Sequence, residues 1–326
     1  MKPHFIPESQ IHNHPATLAW LRLSRSHSMP SSIDFLTRGK GRPLNSKSKI
    51  FRLRGPSMPL PSIIAKLGPS KTILTENIVY QEVLPLIGLP QLESFGTINE
   101  NSETSWLFLE EAPGTPYEEQ DPAQHRLAAK TLAEIHTTTS KLDLSKLLPK
   151  HNLDGYDTCI IDGRNTISEN ISNPALTKPH RNVLNDILDH FDTIEAHWNE
   201  LNIALKEMPL CLVHGDFVGK NVHIHSHNNR QSMYLFDWDI SGWGAPAFDI
   251  ERISPEQYYS FSKSSWPSIT QSQIQFMATV GAILRNVGLI QATSVSLCYE
   301  WVEKAMLEIT EYELSLKTAL RSFLKH

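Results

Sequence analysis

The stretch Leu212–Ile224, LVHGDFVGKNVHI, sets His214, Asp216 and Asn221 into a turn-like segment bounded by apolar residues. Asp216 and Asn221 are five positions apart, a spacing at which a carboxylate that accepts a hydroxyl proton and an amide that holds a magnesium ion can flank one turn. Sixteen residues past Asn221, Asp237 follows the apolar run MYLF, at the end of a predicted strand. Hard oxygen donors of this kind suit Mg2+. Phosphoryl transfer from a nucleoside triphosphate needs a carboxylate near the acceptor hydroxyl, metal ligands and a cation on the phosphates, because its transition state asks mainly for positioning and charge neutralisation.

Positioning such groups requires a scaffold. SKIFRLR alternates and ends at Gly55, and SIIAKLG is a short apolar run closed by Gly68 and Pro69, so the two are predicted to pair as strands. TENIVYQEVLPLI places Ile78, Val79, Glu82, Val83 and Leu86 at helical spacing, and GLPQLESFG and SWLFLEEAPG read as two further strands. The break APGTP, Ala112 to Pro116, separates this strand-rich part from long helical patterns. It places a domain boundary between residues 1–111, of which 1–37 form an N-terminal extension, and residues 112–326. Helices are predicted in DPAQHRLAAKTLAEIHTTTSKL, RNVLNDILDHFDTIEAHWNELNIAL, SQIQFMATVGAILRNVGLI and SLCYEWVEKAMLEITEYELSLKTALRSFLK, with the His–Asp–Asn segment between the second and third.

Composition narrows the class. The 326 residues are 40% hydrophobic and 20% charged, as expected of a soluble globular protein of two domains. No run of about 18 apolar residues and no leader pattern is evident, so a cytoplasmic protein without a membrane partner is expected. Cys159, Cys211 and Cys298 show no C-x-x-C spacing and suggest neither a disulfide framework nor a zinc site. Residues 1–111 carry 12 Lys/Arg against 9 Asp/Glu, and the remainder 18 against 26. Seven basic residues without an acidic one lie between Arg38 and Arg54, a run suited to nucleotide phosphates or to a solvated face. The chain as a whole is acidic and interleaves no aromatic platform with that run, which argues against a nucleic acid partner.

LVHGDFVGKN followed by LFDWDISGWGAPAFDI resembles the paired signature of the aminoglycoside phosphotransferase and choline kinase family, small-molecule kinases with a protein-kinase-like fold. Upstream, LAEIHTTT and TENIVYQEVLPLIGLP are similar to two helices of that family, so the resemblance spans about residues 41 to 255. It implies an α+β, two-lobed protein-kinase-like fold, with a small antiparallel-sheet N-terminal lobe and a larger, mainly helical C-terminal lobe. It further implies that Asp216 is the catalytic base, that His214 shapes the catalytic loop, and that Asn221 and Asp237 hold magnesium. Lys66 would hold the nucleotide phosphates and pair with Glu76, and Asp249 would brace the loop. Ser46, Lys47 and Ser48 would cover the phosphates, and the hinge Leu109–Gly114, with Glu111 and Ala112, would offer backbone groups to the base of ATP or GTP.

The chain departs from the pattern in three places. GRPLNSKSKIFRL holds one glycine where protein kinases have G-x-G-x-x-G, DWD replaces D-F-G, and His223 stands where many relatives place an apolar residue under the base. The expected acceptor is a small molecule with a hydroxyl, and the acidic second part favours a cationic one such as an amino sugar or amino alcohol. The rival expectation is a kinase-like nucleotide-binding regulator without turnover, though such proteins usually lose one of the three groups present at 216, 221 and 237. HIHSH puts His223, His225 and His227 on one strand face, read here as a solvated strand end, and Trp238 and Trp243 are read as packing residues.

Overall fold

The structure, a computed structural model, describes residues 2–24, 28–37, 48–228 and 230–326. The chain divides into two compact units, one of residues 1–124, 146–149 and 216–241, the other of residues 125–145, 150–215 and 242–326. The fold is the two-lobed, α+β protein-kinase-like one that the resemblance implied.

The first unit is built on six antiparallel strands, β1 (Lys2–Phe5), β2 (Ser32–Thr37), β3 (Lys49–Arg54), β4 (Ile63–Pro69), β5 (Ser94–Asn99) and β6 (Thr104–Glu110), in the spatial order β1-β2-β3-β4-β6-β5. SKIFRLR and SIIAKLG are neighbours as expected, with Phe51 opposite Ala65 and Ile50 opposite Lys66. Side chains alternate across a strand, so Phe51 and Leu53 turn to one face of the sheet while Ile50, Arg52 and Lys66 turn to the other.

On the first face lies the helix Pro15–Ser24, whose Ala16, Ala19 and Trp20 form one buried cluster with Ile33, Phe51, Leu53, Ile63, Ala65, Trp106 and Phe108. The Trp20 ring meets Phe95 and Phe108 at 5.3 and 5.5 Å, and its Nε1–H donates to the Ser28 carbonyl at 3.0 Å. The extension expected at 1–37 is therefore integral to the sheet: it supplies two strands and the helix that covers one face.

On the second face, the helix Ser70–Ile78 carries Glu76. The helical pattern of TENIVYQEVLPLI is interrupted by a wide turn, Val79–Val83, in which the Leu84 N–H reaches the Val79 carbonyl, before helix resumes over Leu84–Ile87. Pro85 explains the interruption, since it has no N–H for the Gln81 carbonyl and its ring crowds the preceding turn. The first unit also holds the hairpin Val222–His227/Arg230–Leu235, whose first strand pairs on its other side with Thr115–Pro116. Gly114 has φ +83°, and a Cβ there would overlap the Ile224 carbonyl, so the close approach of this strand requires glycine.

The second unit is mainly helical. Helix Lys178–Ala196 buries Leu184, Ile187, Phe191 and Ile194 at intervals of three and four, and starts at Thr177 in a reciprocal cap with His180. The expected single helix across RNVLNDILDHFDTIEAHWNELNIAL is two, broken at His197, with the second spanning Trp198–Lys206. Helix Tyr156–Asn170 escaped the pattern because it buries only Ile160, Gly163 and Ile167, one residue or fewer per turn. Helix Gln271–Ser294, capped by Thr270 and Gln273, packs against the helices Glu303–Phe323 and Tyr156–Asn170. By length and composition alone Gln271–Cys298 is long and apolar enough to cross a membrane, a test that a buried core helix also passes, and half of its apolar stretch is buried. Three short strands, Lys150–His151, Cys211–Val213 and Gly242–Gly244, form a small sheet with the last in the middle.

Candidate active site

Lys66 projects from β4 on the second face, and Glu76 meets it from the helix Ser70–Ile78. The Lys66 Nζ lies 2.7 Å from the Glu76 Oε2 and 2.5 Å from the Asp237 Oδ1, with an Asp239 oxygen at 4.0 Å. Lys66 and Glu76 are almost fully buried. Burial alone would discharge Lys66, but Glu76 and Asp237 outweigh it and hold the ammonium above its ordinary pKa. Burial pushes the Glu76 carboxyl up, against the pull of Lys66. One cation thus joins the sheet, its helix and the strand end at Asp237. Asp237 itself has φ +69°, a left-handed conformation that a short polar residue tolerates and that is often found at functional sites.

Asp216 and Asn221 face each other across the turn. The Asn221 Nδ2 donates to both the main-chain oxygen and the Oδ2 of Asp216 at 3.0 Å, and the Lys220 Nζ reaches the same Oδ2 at 2.8 Å. The Asn221 N–H donates to the Val218 carbonyl, and its own carbonyl accepts from the Phe236 N–H at 3.0 Å, which ties the turn to the residue before Asp237. With the amide nitrogen so engaged, the Asn221 Oδ1 is the acceptor that remains. An amide oxygen and a carboxylate fit a magnesium ion that takes its other ligands from phosphates and water. Among the described residues no group of three or more His, Cys, Asp or Glu is arranged to hold a metal. Asp216, Asn221, Asp237, Lys66 and Glu76 all belong to the first unit.

In the second unit, the strand Cys211–Val213 runs into His214 and Gly215, whose N–H groups donate to the Asp249 Oδ2 and Oδ1 at 2.7 and 2.8 Å. Gly215 has φ +77°, and this sharp turn lets two successive N–H groups converge on one carboxylate. The His136 Nε2 is 3.1 Å from the Asp249 Oδ2, and its Nδ1 is 2.8 Å from the Tyr258 hydroxyl. With these partners Nε2–H donates to Asp249 and Nδ1 accepts from Tyr258. Burial would raise the Asp249 carboxyl, but the hydrogen bonds from His136 and from the His214 N–H hold it below its ordinary value. His214 is buried.

Of the remaining expected residues, Ser46 and Lys47 lie outside the described residues. Ser48 precedes β3 with its Oγ close over Gly68. Glu111 is ion-paired with Arg52, and the Ala112 carbonyl is 3.1 Å from the His223 Nδ1. Trp238 and Trp243 are packed, and His225 and His227 lie toward the turn end of the hairpin, opposite Ser232 and Arg230. His136, Tyr258, Lys220 and Arg52 were not singled out in the sequence. LAEIH marked His136 as the end of a helix pattern, but nothing local to it points to Asp249, 113 positions away.

The fold, with a buried Lys–Glu pair and an Asp–Asn turn, defines a small-molecule kinase of the protein-kinase-like class. A model of the phosphotransferase enzyme family matches residues 63–272, and the chain belongs to that family. It is a phosphotransferase that acts on a hydroxyl of a small molecule. No curated protein matches it in sequence. Among solved structures it is similar to an ethanolamine kinase of Plasmodium vivax (14% identity, 97% of this chain and 91% of that one, TM-score 0.59). It is also similar to a choline kinase of Cryptosporidium parvum Iowa II (13%, 89% and 90%, 0.58). A third is a mutant aminoglycoside 2'-phosphotransferase in complex with GDP (12%, 93% and 98%, 0.63).

Proposed function

We propose that the protein transfers the γ-phosphoryl group of ATP or GTP to a hydroxyl of an amino sugar or amino alcohol in the cytoplasm, with no nucleic acid or membrane partner. Asp216 accepts the proton of the attacking hydroxyl, so that the new O–P bond forms as the bond to the nucleoside diphosphate breaks. Lys66, kept charged and in place by Glu76, carries the phosphates. Asn221 and Asp237 hold Mg2+, which when bound neutralises charge on the transferring group. His214 and Asp249 keep the backbone leading to Asp216 in shape. Residues 1–111 act as the nucleotide-binding lobe, with Ser46, Lys47 and Ser48 over the phosphates and Glu111 and Ala112 at the base, and residues 112–326 as the catalytic and acceptor-binding lobe. The cationic acceptor is favoured by the excess of acidic residues after position 111.

The observation that carries this reading is the Lys66 ammonium held between Glu76 and Asp237 in the same unit as the Asp216–Asn221 turn. The test is nucleoside triphosphate consumption, with ATP and GTP, across aminoglycosides, macrolides, choline, ethanolamine and neutral sugars. Acceptor-dependent turnover abolished by Asp216→Asn supports it. Nucleotide binding without turnover for any acceptor would leave the regulator reading in its place.

A further inference from the structure

The sheet register shows what lies beyond Lys66 on the same face. Ile50, Lys66, Leu107 and Thr97 form one cross-strand row, and Asp34, Arg52, Ile64 and Leu109 form the next. The two rows are two residues apart along the strands, about 7 Å. A nucleotide with its phosphates at Lys66 therefore has its base against the second row, below the point where β6 leaves the sheet as Glu111 and Ala112.

Two side chains fasten those residues from different elements. Arg52 of β3 forms an ion pair with the Glu111 carboxylate through Nη2, while its Nη1 lies 3.6 Å from the buried Asp34 Oδ2, which Arg54 also approaches at 3.2 Å. His223, on the first strand of the hairpin, bonds the Ala112 carbonyl through Nδ1 at 3.1 Å and stands edge-on to Phe236 at 5.1 Å. The Arg52 network is a costly way to gain stability, since the Arg52 Nε and the Asp34 Oδ1 are buried with no hydrogen-bond partner. A well-packed apolar row would do as well or better. What the ions add is geometry: a planar guanidinium fixes Glu111 relative to β2 and β3.

We propose that Arg52 and His223 are nucleobase-positioning residues that act through Glu111 and Ala112, holding the backbone of these two residues in the arrangement against which the purine base of the donor docks. This rests on the reading of the protein as a nucleotide-dependent phosphotransferase. Direct contact with the base is not needed for the effect, because a hinge free to move must be ordered when the base binds, and that ordering weakens affinity.

The test separates the base from the phosphates. Calorimetry measures binding of ATP and GTP, each with magnesium, and of inorganic tripolyphosphate, to the wild type and to Glu111→Gln, Arg52→Met and His223→Phe. Glu111→Gln breaks the tether at its outer end and leaves the Asp34–Arg54 pair in place, so it serves if Arg52→Met fails to fold. Glu111→Gln and Arg52→Met are each expected to bind their better nucleotide about tenfold more weakly, the size of one lost hydrogen bond to a charged group, and His223→Phe about fivefold, the size of a neutral one, with tripolyphosphate unchanged. The double variant Arg52→Met/Glu111→Gln is expected to be no weaker than either single one. Unchanged nucleotide affinity in Glu111→Gln and His223→Phe, or a parallel loss for tripolyphosphate, overturns the inference while leaving the phosphotransferase reading intact. A wild type that binds neither nucleotide overturns both.

Discussion

Replacing Asp249 by asparagine changes one buried oxygen to nitrogen and should cost a large part of the stability of the second unit. The carboxylate accepts from the His214 N–H, the Gly215 N–H and His136, at 2.7, 2.8 and 3.1 Å, and is 1% exposed. An amide has one accepting atom. Whichever way it turns, at least one backbone N–H faces another donor in the interior, at about 1–3 kcal/mol, and the bonds that remain lose their charge assistance. The sum is about 3–5 kcal/mol, the range found when one partner of a buried charged network is removed. Urea unfolding followed by tryptophan fluorescence measures it, with equal m-values for the two proteins as the check that the comparison holds. The sign with pH follows from the depressed Asp249 pKa. Its stabilisation is complete above the unfolded-state value of about 3.9 and is lost as pH falls from there toward the lower folded value. The gap between wild type and variant should therefore narrow below about pH 4. A difference under about 1 kcal/mol at pH 7, or a gap that stays constant down to pH 3, would refute the account of the carboxylate as a charged brace.

Other consequences are open to direct measurement. Asp216→Asn should lower kcat by roughly 10² or more with little change in nucleotide affinity, and near wild-type turnover would remove Asp216 as the base. Asp237→Ala removes a charged ligand and Asn221→Ala a neutral one, so a magnesium titration should rescue the second more fully; equal, magnesium-insensitive losses would contradict the assignment. For a cationic acceptor, KM should rise with salt as the Debye length falls below about 10 Å, at constant kcat, while a neutral analogue shows no trend. A flat KM for the cationic acceptor would reduce the acidic residues to a solvated surface.

Local sequence showed groups that lie close in the chain or share a simple period. Asp216 and Asn221 could be paired from spacing alone because a single turn joins them, and β3 and β4 could be paired because one alternates and ends at Gly55 while the other is a short apolar run closed by Gly68 and Pro69. Lys66 and Asp237 are 171 positions apart, and only the resemblance linked them. The brace of Asp249 was expected, but His136 and Tyr258 behind it were not, since a buried histidine on a helix face reads like any other polar interruption. Arg52 was counted in a basic run suited to phosphates or solvent. The sheet instead turns it onto Asp34 and Glu111, partners that charge counting along the chain cannot find.

The helix Pro15–Ser24 and the first three strands bear on how the protein can be cut. The family match begins at residue 63, the first of β4, so a fragment chosen by that match would discard half of the six-stranded sheet and the Trp20 helix. β4 would become a bare edge, with Ala65, Trp106 and Phe108 uncovered on the adjoining face. An unpaired strand beside exposed aromatic surface is a template for joining other chains, so such a fragment would aggregate even though it retains Lys66, Asp216, Asn221 and Asp237. The recognisable part of this chain is smaller than the part that must be synthesised for it to stay in solution.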